Sequence, residues 1–459
     1  MRCPAATPPC SRSRGAPPSG PTGRRCDVTT AGSPSYDVAI VGLGPTGATL
    51  ANLCGAWGLR TIVFERSTAP YPQPRACHLD AEIARVFQHL GFEDDLHRLL
   101  TVSAGMEYVD ADGRRLFTFE GFEREPLLGW HEDYVFVQPE IDAMLRDGLE
   151  QYAHVEVRIG DDAPPLDELR RLARYVVACD GASSPTRERL GIGLLDQGYD
   201  ERWLVVDVML RDPGVPPLPG IIQQVCDRRR LATFVPSHGR HRRWEFRLAE
   251  DELVPDVWRL LAPWGVTREL GDLVRAATYR FHALEAARWR DGNVFLAGDA
   301  AHQMPPFMGQ GMCSGVRDAA NLAWKLAEVI HDGAPDSLLD TYESERRPHV
   351  AAVTAMSIEA GRLLGRLAVD RDALPLADTP DPTRWSRLPG LDLGGAFPIG
   401  HQLPQPDRLD ESLPDGWVWV AADDGVVPPD GRPVVVEPRA THGHRAVLVR
   451  PDRYIAAVA

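Results

Sequence analysis

The sequence predicts a mixed α/β (α+β) fold, in which a domain of parallel strands and helices is interrupted by an inserted antiparallel sheet. Three observations predict it. An apolar run, a glycine-rich turn, a helical pattern and a second apolar run follow one another over residues 37–66. Short β-like runs separated by turn residues fill residues 203–248. A strand-like run and long helical patterns return from residue 293 onward, so the first domain is completed after the insertion.

The glycine-rich turn GLGPTG, residues 42–47, is the most informative feature of the first domain. Gly42 permits the tight turn, Gly44 lets the backbone approach a pyrophosphate, and Gly47 lets the next helix pack closely on the strand. The second apolar run ends at Glu65, at the spacing of about 20 residues where a carboxylate meets a ribose hydroxyl. A glycine turn without a ligand is the weaker interpretation. The pattern therefore predicts a Rossmann-like dinucleotide site.

Composition limits the other possibilities. The chain has 459 residues, enough for two or three domains, and a net charge of −15, which disfavours binding to nucleic acid. No apolar run approaches the roughly 18 residues needed to span a bilayer. The eight cysteines form no CxxC pair and no Cys/His cluster with zinc spacing, so no metal site is predicted. Scattered single cysteines indicate a reducing cytoplasm.

Changes in composition suggest the domain boundaries. Residues 1–34 are rich in Pro, Ser, Gly, Arg and Thr and lack the apolar core of a signal peptide, so they are predicted to be a disordered tail. Residues 35–195 and 286–367 are predicted to form the two parts of the nucleotide-binding domain, around an inserted substrate-binding sheet at 196–285. Residues 368–459 form a C-terminal region. Strands are predicted at 155–159, 175–179, 203–210, 221–226, 232–236, 243–248, 293–297, 417–420, 434–436 and 446–449, and helices at 79–90, after Pro139, around 316–330 and at 338–367.

Two further motifs accompany the glycine turn. The first is CDGASS, residues 179–184, followed by Arg187. The second is the segment GDAAHQMPPFMGQGMCSGVRDAANLAWKL, residues 298–326, which precedes LLDTYESERRPH at 338–349. Alone, each Asp-Gly or Gly-Asp pair would be an ordinary turn at the end of a strand. In this order the motifs resemble those of the class A flavoprotein monooxygenases, the aromatic-ring hydroxylases. The resemblance covers residues 36–364 and continues weakly beyond them, and members acting on hydroxyphenylpropionates look the most similar.

The resemblance implies FAD as cofactor and NADH or NADPH as a transient co-substrate. It implies hydroxylation of a small phenolic aromatic by O2 through a flavin C4a-hydroperoxide, and it is compatible with a homodimer. No second framed GxGxxG motif is present, which suits an enzyme that binds the nicotinamide only transiently. Two alternatives remain open: an enzyme of the same fold acting on a polyketide-like aromatic, and a flavin-binding protein without turnover.

The resemblance also implies a set of cofactor-binding residues. Asp299 would bond the ribityl chain, Gly309–Met312 at a helix start would face the pyrimidine end of the flavin, and Asp180, Gly181 and Arg187 would serve both FAD and the nicotinamide. Arg75 and Gln138, taken alone, would more often be solvated surface side chains. The complete set is Gly42, Gly44, Pro45, Thr46, Gly47, Glu65, Arg66, Arg75, Gln138, Asp180, Gly181, Arg187, Gly298, Asp299, Pro306, Gly309, Gly311 and Met312.

Two residues are candidates for the chemistry itself. The resemblance suggests that the carbonyl of Pro306 would accept a bond from the flavin hydroperoxide. It places His78 on the substrate side, where a histidine would accept or relay the proton of the phenol. A histidine at a helix start, bonded only to the backbone, is an equally weighted alternative for His78. Trp203 and Trp244 are pocket walls by position only, and His302 is expected to be structural.

The chain departs from the family pattern at two places. Only residues 160–174 separate the strands at 155–159 and 175–179, where relatives carry a longer hairpin, so a trimmed hairpin at the domain edge is expected. The C-terminal region resembles a shortened thioredoxin-like domain without redox cysteines. Both departures bear on local stability more than on the cofactor motifs.

Overall fold

The computed structural model describes residues 34–118, 126–373, 390–396 and 398–459. The predicted tail, apart from Pro34, lies outside the described residues. The elements of the first half are β1 (Tyr36–Val41), α1 (Pro45–Ala56), β2 (Thr61–Glu65), β3 (His78–Asp80), α2 (Ala81–His89), α3 (Glu93–Leu99), β4 (Thr101–Val102), β5 (Met106–Asp110), β6 (Arg115–Thr118), β7 (Asp133–Val135), α4 (Gln138–Asp147), β8 (Val155–Ile159), α5 (Leu166–Leu172), β9 (Ala173–Ala178), α6 (Pro185–Arg189) and β10 (Leu194–Leu210).

The second half completes both main sheets and adds a C-terminal one. Its elements are β11 (Ile222–Cys226), β12 (Ala232–Val235), β13 (His241–Arg247), α7 (Val257–Leu261), β14 (Gly271–Ala286), β15 (Arg290–Asp291), β16 (Val294–Leu296), β17 (His302–Gln303), α8 (Gln310–Ala327), α9 (Asp340–Leu367), β18 (Val418–Ala421), β19 (Val434–Val436), β20 (Ala446–Val449) and β21 (Ile455–Val458). Strands β15, β17 and β21 have no counterpart in the sequence prediction.

The first domain is built on a six-stranded sheet of order β15-β16-β9-β1-β2-β8. All its pairings are parallel except that of β15 with β16. The strands β1 and β9 are almost continuously apolar and buried, as expected when helices cover both faces of a parallel sheet. Strand β16 joins only after the insertion, which confirms the interrupted mixed α/β architecture.

The inserted sheet has eight strands in the order β17-β14-β10-β13-β12-β11-β5-β6. Its centre, from β10 to β14, matches the predicted insertion. Its edges do not, because β5 and β6 come from before residue 196 and β17 comes from after residue 285. The boundary at 196–285 is therefore too narrow for this sheet. Short strands far from the insertion carry no signal of which sheet they join.

The segment predicted to be a trimmed hairpin forms a helix. Residues 160–174 contain α5, whose Leu169 is buried in the apolar layer formed by Ala39, Ile62 and Val176 on one face of the parallel sheet. The helix joins the edge strand β8 to β9 next to β1 and covers the sheet on the way. The departure from the family pattern leaves a packed element rather than a defect.

Helices α8 and α9 and a small C-terminal sheet complete the described structure. Helix α8 packs against α1, and its Asp318 accepts bonds from the backbone N–H of Gly298 and from Arg346 of α9. The C-terminal sheet has the order β19-β18-β20-β21. Arg450 at the end of β20 pairs with Glu345 of α9, which ties this sheet to the helices. None of the helices in the described ranges is long and apolar enough to cross a membrane.

Candidate active site

A cavity of about 780 Å³ lies between the carboxyl ends of the parallel strands and one face of the inserted sheet. Carboxyl ends of parallel strands are where open α/β sheets bind ligands. Sixteen of the predicted site residues line it, and these are Gly42, Gly44, Pro45, Thr46, Glu65, Arg66, Arg75, His78, Gln138, Asp180, Gly181, Asp299, Pro306, Gly309, Gly311 and Met312. The remaining three, Gly47, Arg187 and Gly298, do not line it. Residues far apart in the sequence thus meet at one cavity.

The glycine turn has the geometry that a dinucleotide requires. Gly42 has a φ of +97°, and a Cβ there would lie 2.4 Å from the carbonyl oxygen of Cys179. A Cβ on Gly47 would lie 2.0 Å from the carbonyl oxygen of Gly42, so helix and strand pack too closely for any side chain. Gly44, in contrast, has no atom within 4 Å of such a Cβ, and it faces the cavity just before Pro45 opens α1. This cradle fits a pyrophosphate at the helix N-terminus.

Glu65 is held at the end of β2 by the glycine turn. Its Oε2 accepts a bond of 2.8 Å from the N–H of Leu43, and its Oε1 accepts one from the N–H of Ser67. Arg146 of α4 donates to the carbonyl oxygen of Leu43 from the other side. The carboxylate is therefore oriented toward the cavity beside the turn, where a ribose hydroxyl would be its donor.

Asp299 has an exposed carboxylate that opens into the cavity. No described residue donates a hydrogen bond to it, and the protein atoms around it raise its pKa. Asp180 is held differently, because its Oδ2 accepts from the N–H of Thr186 while its Oδ1 is buried without a partner in the described structure. The Asp299 carboxylate is thus free to accept hydrogen bonds from a ligand. The hydroxyls of a ribityl chain would supply them at Asp299.

The start of α8 presents free backbone donors. Gly309 adopts a φ of +62° and caps the helix without any side-chain hydrogen bond, so the first N–H groups of α8 face the cavity at Gly311 and Met312. The carbonyl of Pro306 already accepts a bond of 2.8 Å from the N–H of Gly309. One lone pair of that carbonyl remains, so the predicted role of Pro306 stays a prediction. The helix N-terminus would stabilise negative charge on a flavin ring.

Two residues predicted to bind the cofactor, Arg187 and Gly298, contact other protein residues instead of lining the cavity. Arg187 is buried, and its guanidinium donates to the carbonyl oxygens of Ala182 and Ala300 rather than into the cavity. It joins the CDGASS turn to the Gly298–Ala300 turn. Gly298 is crowded from behind, because a Cβ there would lie 2.5 Å from the hydroxyl of Thr46. These positions shape the site without facing a ligand.

Gln138 and Arg75 form the rim of the cavity. The side-chain carbonyl of Gln138 accepts bonds of 2.8 Å from the N–H groups of Arg75 and Ala76, so α4 fixes the loop before β3. The exposed Arg75 guanidinium stacks 4.6 Å from the ring centre of Tyr71. Arg66, also on the rim, is exposed. Two cations at this end suit the charge of a pyrophosphate.

His78 is buried at the junction of the two halves, with a side chain that is 4% exposed. Its Nδ1 faces the carbonyl oxygen of Gly309 at 3.3 Å, and its Nε2 contacts the carboxylate of Asp133 on the neighbouring strand β7. Burial lowers the pKa of His78, but the attraction and hydrogen bond of Asp133 outweigh it and hold the pKa well above its usual value. Both nitrogens thus face acceptor oxygens. The role of His78 as a proton acceptor stays a prediction.

The floor of the cavity is a sheet face that the sequence prediction missed. It carries apolar residues such as Val205, an ion cluster around Asp207, and the carboxyl group of Glu245. Charged and aromatic residues alternate along β13, and this pattern could have revealed the floor. Arg243 and Glu245 lie on the cavity face of the sheet. Trp244 and Phe246 lie in the core on the opposite face. Trp203 does not line the cavity but stacks behind Phe281, which does.

His302 has the expected structural role, because its Nε2 pairs with Asp318 at 2.6 Å in the core behind the site. Within the described ranges, no group of three or more His, Cys, Asp and Glu side chains is arranged to hold a metal ion.

The comparisons with known proteins agree with this geometry. Residues 35–357 match a family described as "FAD binding domain". A probable NADH-specific resorcinol 4-hydroxylase from Rhodococcus jostii is 39% identical over 85% of this chain and 80% of its own length. A 3-(3-hydroxy-phenyl)propionate/3-hydroxycinnamic acid hydroxylase from Burkholderia vietnamiensis is 38% identical over 81% of this chain and 74% of its own.

A solved structure of a hydroxylase shares the fold of this chain. An anhydrotetracycline hydroxylase from Streptomyces rimosus superposes with a TM-score of 0.70 and 26% identity, over 92% of this chain and 95% of that one. The cradle at Gly44, the unsatisfied Asp299 and the family match agree on the cofactor. The chain therefore belongs to the FAD-binding family of class A flavin monooxygenases, whose members act with FAD and a nicotinamide co-substrate.

Proposed function

We propose that this FAD-dependent monooxygenase hydroxylates a small, single-ring phenol with NADH or NADPH and O2. The observation that carries the proposal is the continuity of the cavity, which runs from the glycine turn to the floor of the inserted sheet. Its volume of about 780 Å³ must serve both FAD and the substrate. The relatives named for resorcinol and for 3-(3-hydroxy-phenyl)propionate act on single-ring phenols, which favours one ring here.

The residues of the chain would bind FAD and the substrate, orient them and shield them from water, while bound FAD supplies the redox and oxygen-transfer chemistry. The glycine turn and the start of α1 would hold the pyrophosphate, Glu65 a ribose, and Asp299 the ribityl chain. Phe281 and Phe307 line the cavity and are backed by Trp203 at 5.8 and 5.4 Å between ring centres. This apolar wall would exclude water from the reacting edge of the ring.

His78 would act as a fixed positive charge beside the start of α8. Its imidazolium is held between Gly309 and Asp133, so it adds to the positive end of the helix where the resemblance places the flavin pyrimidine. In this role the histidine keeps its proton during turnover. The two roles can be distinguished by measurement, because a fixed positive charge requires a protonated His78 ring at neutral pH and a proton acceptor requires a neutral one.

We expect the His78 ring to stay protonated above pH 7 and to lose this property in Asp133→Asn. The attraction of Asp133 holds the His78 pKa up, and without it burial alone would bring the pKa below its usual value. Histidine ring ¹⁵N NMR across pH 5–9 measures both states. A wild-type His78 that is neutral at pH 7 would restore the proton-acceptor interpretation. An unchanged far-ultraviolet spectrum of Asp133→Asn controls for folding.

A suitable phenol should accelerate oxidation of NADH or NADPH by at least roughly tenfold, equivalent to about 1.4 kcal/mol. Without a second nucleotide-binding motif the nicotinamide must reach the flavin transiently, and a bound substrate that favours the reduction-competent state would limit wasted turnover. Stopped-flow measurement of FAD reduction with resorcinol, 3-(3-hydroxyphenyl)propionate and related phenols tests this. Equal rates with and without every phenol would favour a flavin-binding protein or simple oxidase.

A polyketide-like aromatic is the second candidate substrate. It is favoured by the 26% identity and the high coverage shared with an anhydrotetracycline hydroxylase. The same stopped-flow panel, extended by one tetracyclic aromatic, separates the two. Acceleration by the tetracycle alone would overturn the single-ring proposal.

Three further properties are proposed: the fold of the C-terminal sheet, the oligomeric state and the cellular location. The C-terminal sheet, with one parallel and two antiparallel pairings, is proposed to be a reduced thioredoxin-like unit. An experimental structure with another strand order would refute it. We also propose a cytoplasmic location, since the described cysteines Cys54, Cys77, Cys179, Cys226 and Cys313 form no disulfide. A homodimer is proposed on the family resemblance alone. Light scattering and cell fractionation test these two statements.

A further inference from the structure

We propose that Glu245 is the specificity-determining acceptor for a hydroxyl group of an uncharged phenol, and that it disfavours substrates bearing a carboxylate. This inference rests on the proposed function and assigns its substrate class. It depends on the floor of the cavity, where Glu245 stands in a polar row of the inserted sheet, and on the absence of a free cation in the described part of that floor.

The row is fixed by strand register. Val205 of β10 lies opposite Glu245 of β13, Glu245 lies opposite Thr233 of β12, and Thr233 lies opposite Gln224 of β11. Directly opposite residues share a face of a sheet, and all four side chains line the cavity. Three neighbouring polar side chains, next to the apolar Val205 on one side and the row of the Asp207 cluster on the other, form a recognition edge rather than a packing surface.

Within the row only Glu245 lacks a partner. The Thr233 hydroxyl donates to Oε1 of Gln224 at 2.7 Å, and the Gln224 amide nitrogen contacts the sulfur of Met106 at 3.3 Å. Glu245 is 7% exposed and forms no hydrogen bond or ion pair with any residue in the described ranges. A buried carboxyl group without a donor is unfavourable, so a donor from the ligand is strongly preferred. Burial raises the pKa of Glu245, and the attraction of Arg243 and Arg275 in the next row offsets part of that rise.

The neighbouring arginines offer no counter-charge to a substrate carboxylate. Arg243 and Arg275 lie in the next row, with side chains only 2% and 3% exposed, and both pair with Asp207. Arg243 also donates to the carbonyl oxygens of Pro74 and Arg75, and Arg275 donates to the hydroxyl of Tyr279. Because these guanidinium groups already bond Asp207 and also attract Glu245, a substrate carboxylate would have to compete with two carboxyl groups of the protein for them.

The described part of the floor therefore has one carboxyl acceptor without a hydrogen-bond donor, and its two guanidinium groups are already bonded to protein acceptors. A phenol with a second hydroxyl would place one hydroxyl on Glu245 while its ring lies against Val205 and the aromatic wall. A substrate whose second group is a carboxylate would desolvate like charges against each other. The selectivity of the enzyme would thus be set by repulsion as well as by attraction.

The test compares three probes that differ in one substituent: resorcinol, 3-methoxyphenol and 3-hydroxybenzoate. Their dissociation constants are measured from the change in flavin absorbance of the FAD-loaded protein without NADH. The wild type should bind resorcinol at least tenfold more tightly than either other probe. In Glu245→Gln the preference for resorcinol over 3-hydroxybenzoate should fall at least tenfold, mainly because the benzoate binds better.

Glu107→Gln is the matched control, since Glu107 lies buried on β5 of the same sheet but pairs with Arg115 and Gln223 outside the cavity lining. It should leave all three constants unchanged. Equal weakening of all probes in Glu245→Gln would show a structural role and overturn the inference. So would equal binding of resorcinol and 3-hydroxybenzoate by the wild type. If no phenol of any kind binds or is hydroxylated, the proposed function fails and the inference fails with it.

Discussion

Replacing Asp207 by alanine should reduce the free energy of unfolding by about 3–5 kcal/mol. This carboxylate on β10 is fully buried and accepts from three cationic or polar side chains, Arg243, Arg275 and His241, at 2.6–2.9 Å. Burial alone would raise the pKa of Asp207, but the bond from His241 and the two guanidinium charges lower it to about 2. Without Asp207 the two arginines would remain buried without their counter-ion.

Urea unfolding of the wild type and of Asp207→Ala measures the effect. Asp200→Ala is the control, because Asp200 lies on the same strand but pairs with Arg280 at the surface, and exposed pairs contribute about 0–1 kcal/mol. The pKa of Asp207 lies below its unfolded value of about 3.9, so its stabilisation is complete above that pH and is lost as the pH falls toward 2. A loss as small as that of the control would contradict the assigned role of the cluster.

Asp299→Ala should bind FAD about 10- to 150-fold more weakly while keeping its fold. A hydrogen bond to a charged acceptor contributes about 1.5–3 kcal/mol. The Asp299 side chain opens into the cavity, has no donor among the described residues, and has its pKa raised by the protein atoms around it. Its removal therefore affects the ligand and leaves protein contacts intact.

Isothermal titration of the apoprotein with FAD gives the dissociation constants, and thermal unfolding of the apoprotein checks the fold. Asp291→Ala serves as the control, since Asp291 on β15 pairs with Arg170 and Arg288 away from the cavity lining. Unaltered FAD affinity in Asp299→Ala would remove this residue from the cofactor site. A lower melting temperature of the apoprotein would show that its carboxylate supports the fold.

The cofactor half of the site is predictable because its residues cluster in short motifs. Each motif is a short continuous stretch of sequence: the turn at 42–47, the acid Glu65 at the end of a strand, and the segment at 298–312. The structure brings residues of all three to one cavity. Local sequence carries the geometry there, since a glycine turn between strand and helix constrains its own backbone. Arg187 shows the limit, because proximity in sequence to a ligand loop does not fix which way a side chain points.

The substrate half is not predictable in the same way. Gln224, Thr233 and Glu245 meet only through the register of three strands, and a shift of one residue in any of them would turn its side chain to the other face. Asp133 meets His78 across a short strand pair that has no pattern of its own. The helix at Leu166–Leu172 is not predictable from its own residues, because it has seven residues and buries only Leu169, too short a pattern to show a helical period.

The hairpin β5–β6 has a consequence for the exchange of parts between related enzymes. Strand β5 pairs in parallel with β11, so a segment encoded well before the insertion forms the flank of the substrate floor. Transplanting residues 196–285 alone into a relative would leave the β11 edge against a foreign strand, and unpaired edges invite aggregation. A chimera would therefore have to carry residues 106–118 and 302–303 with the insertion to keep every strand pairing of this sheet.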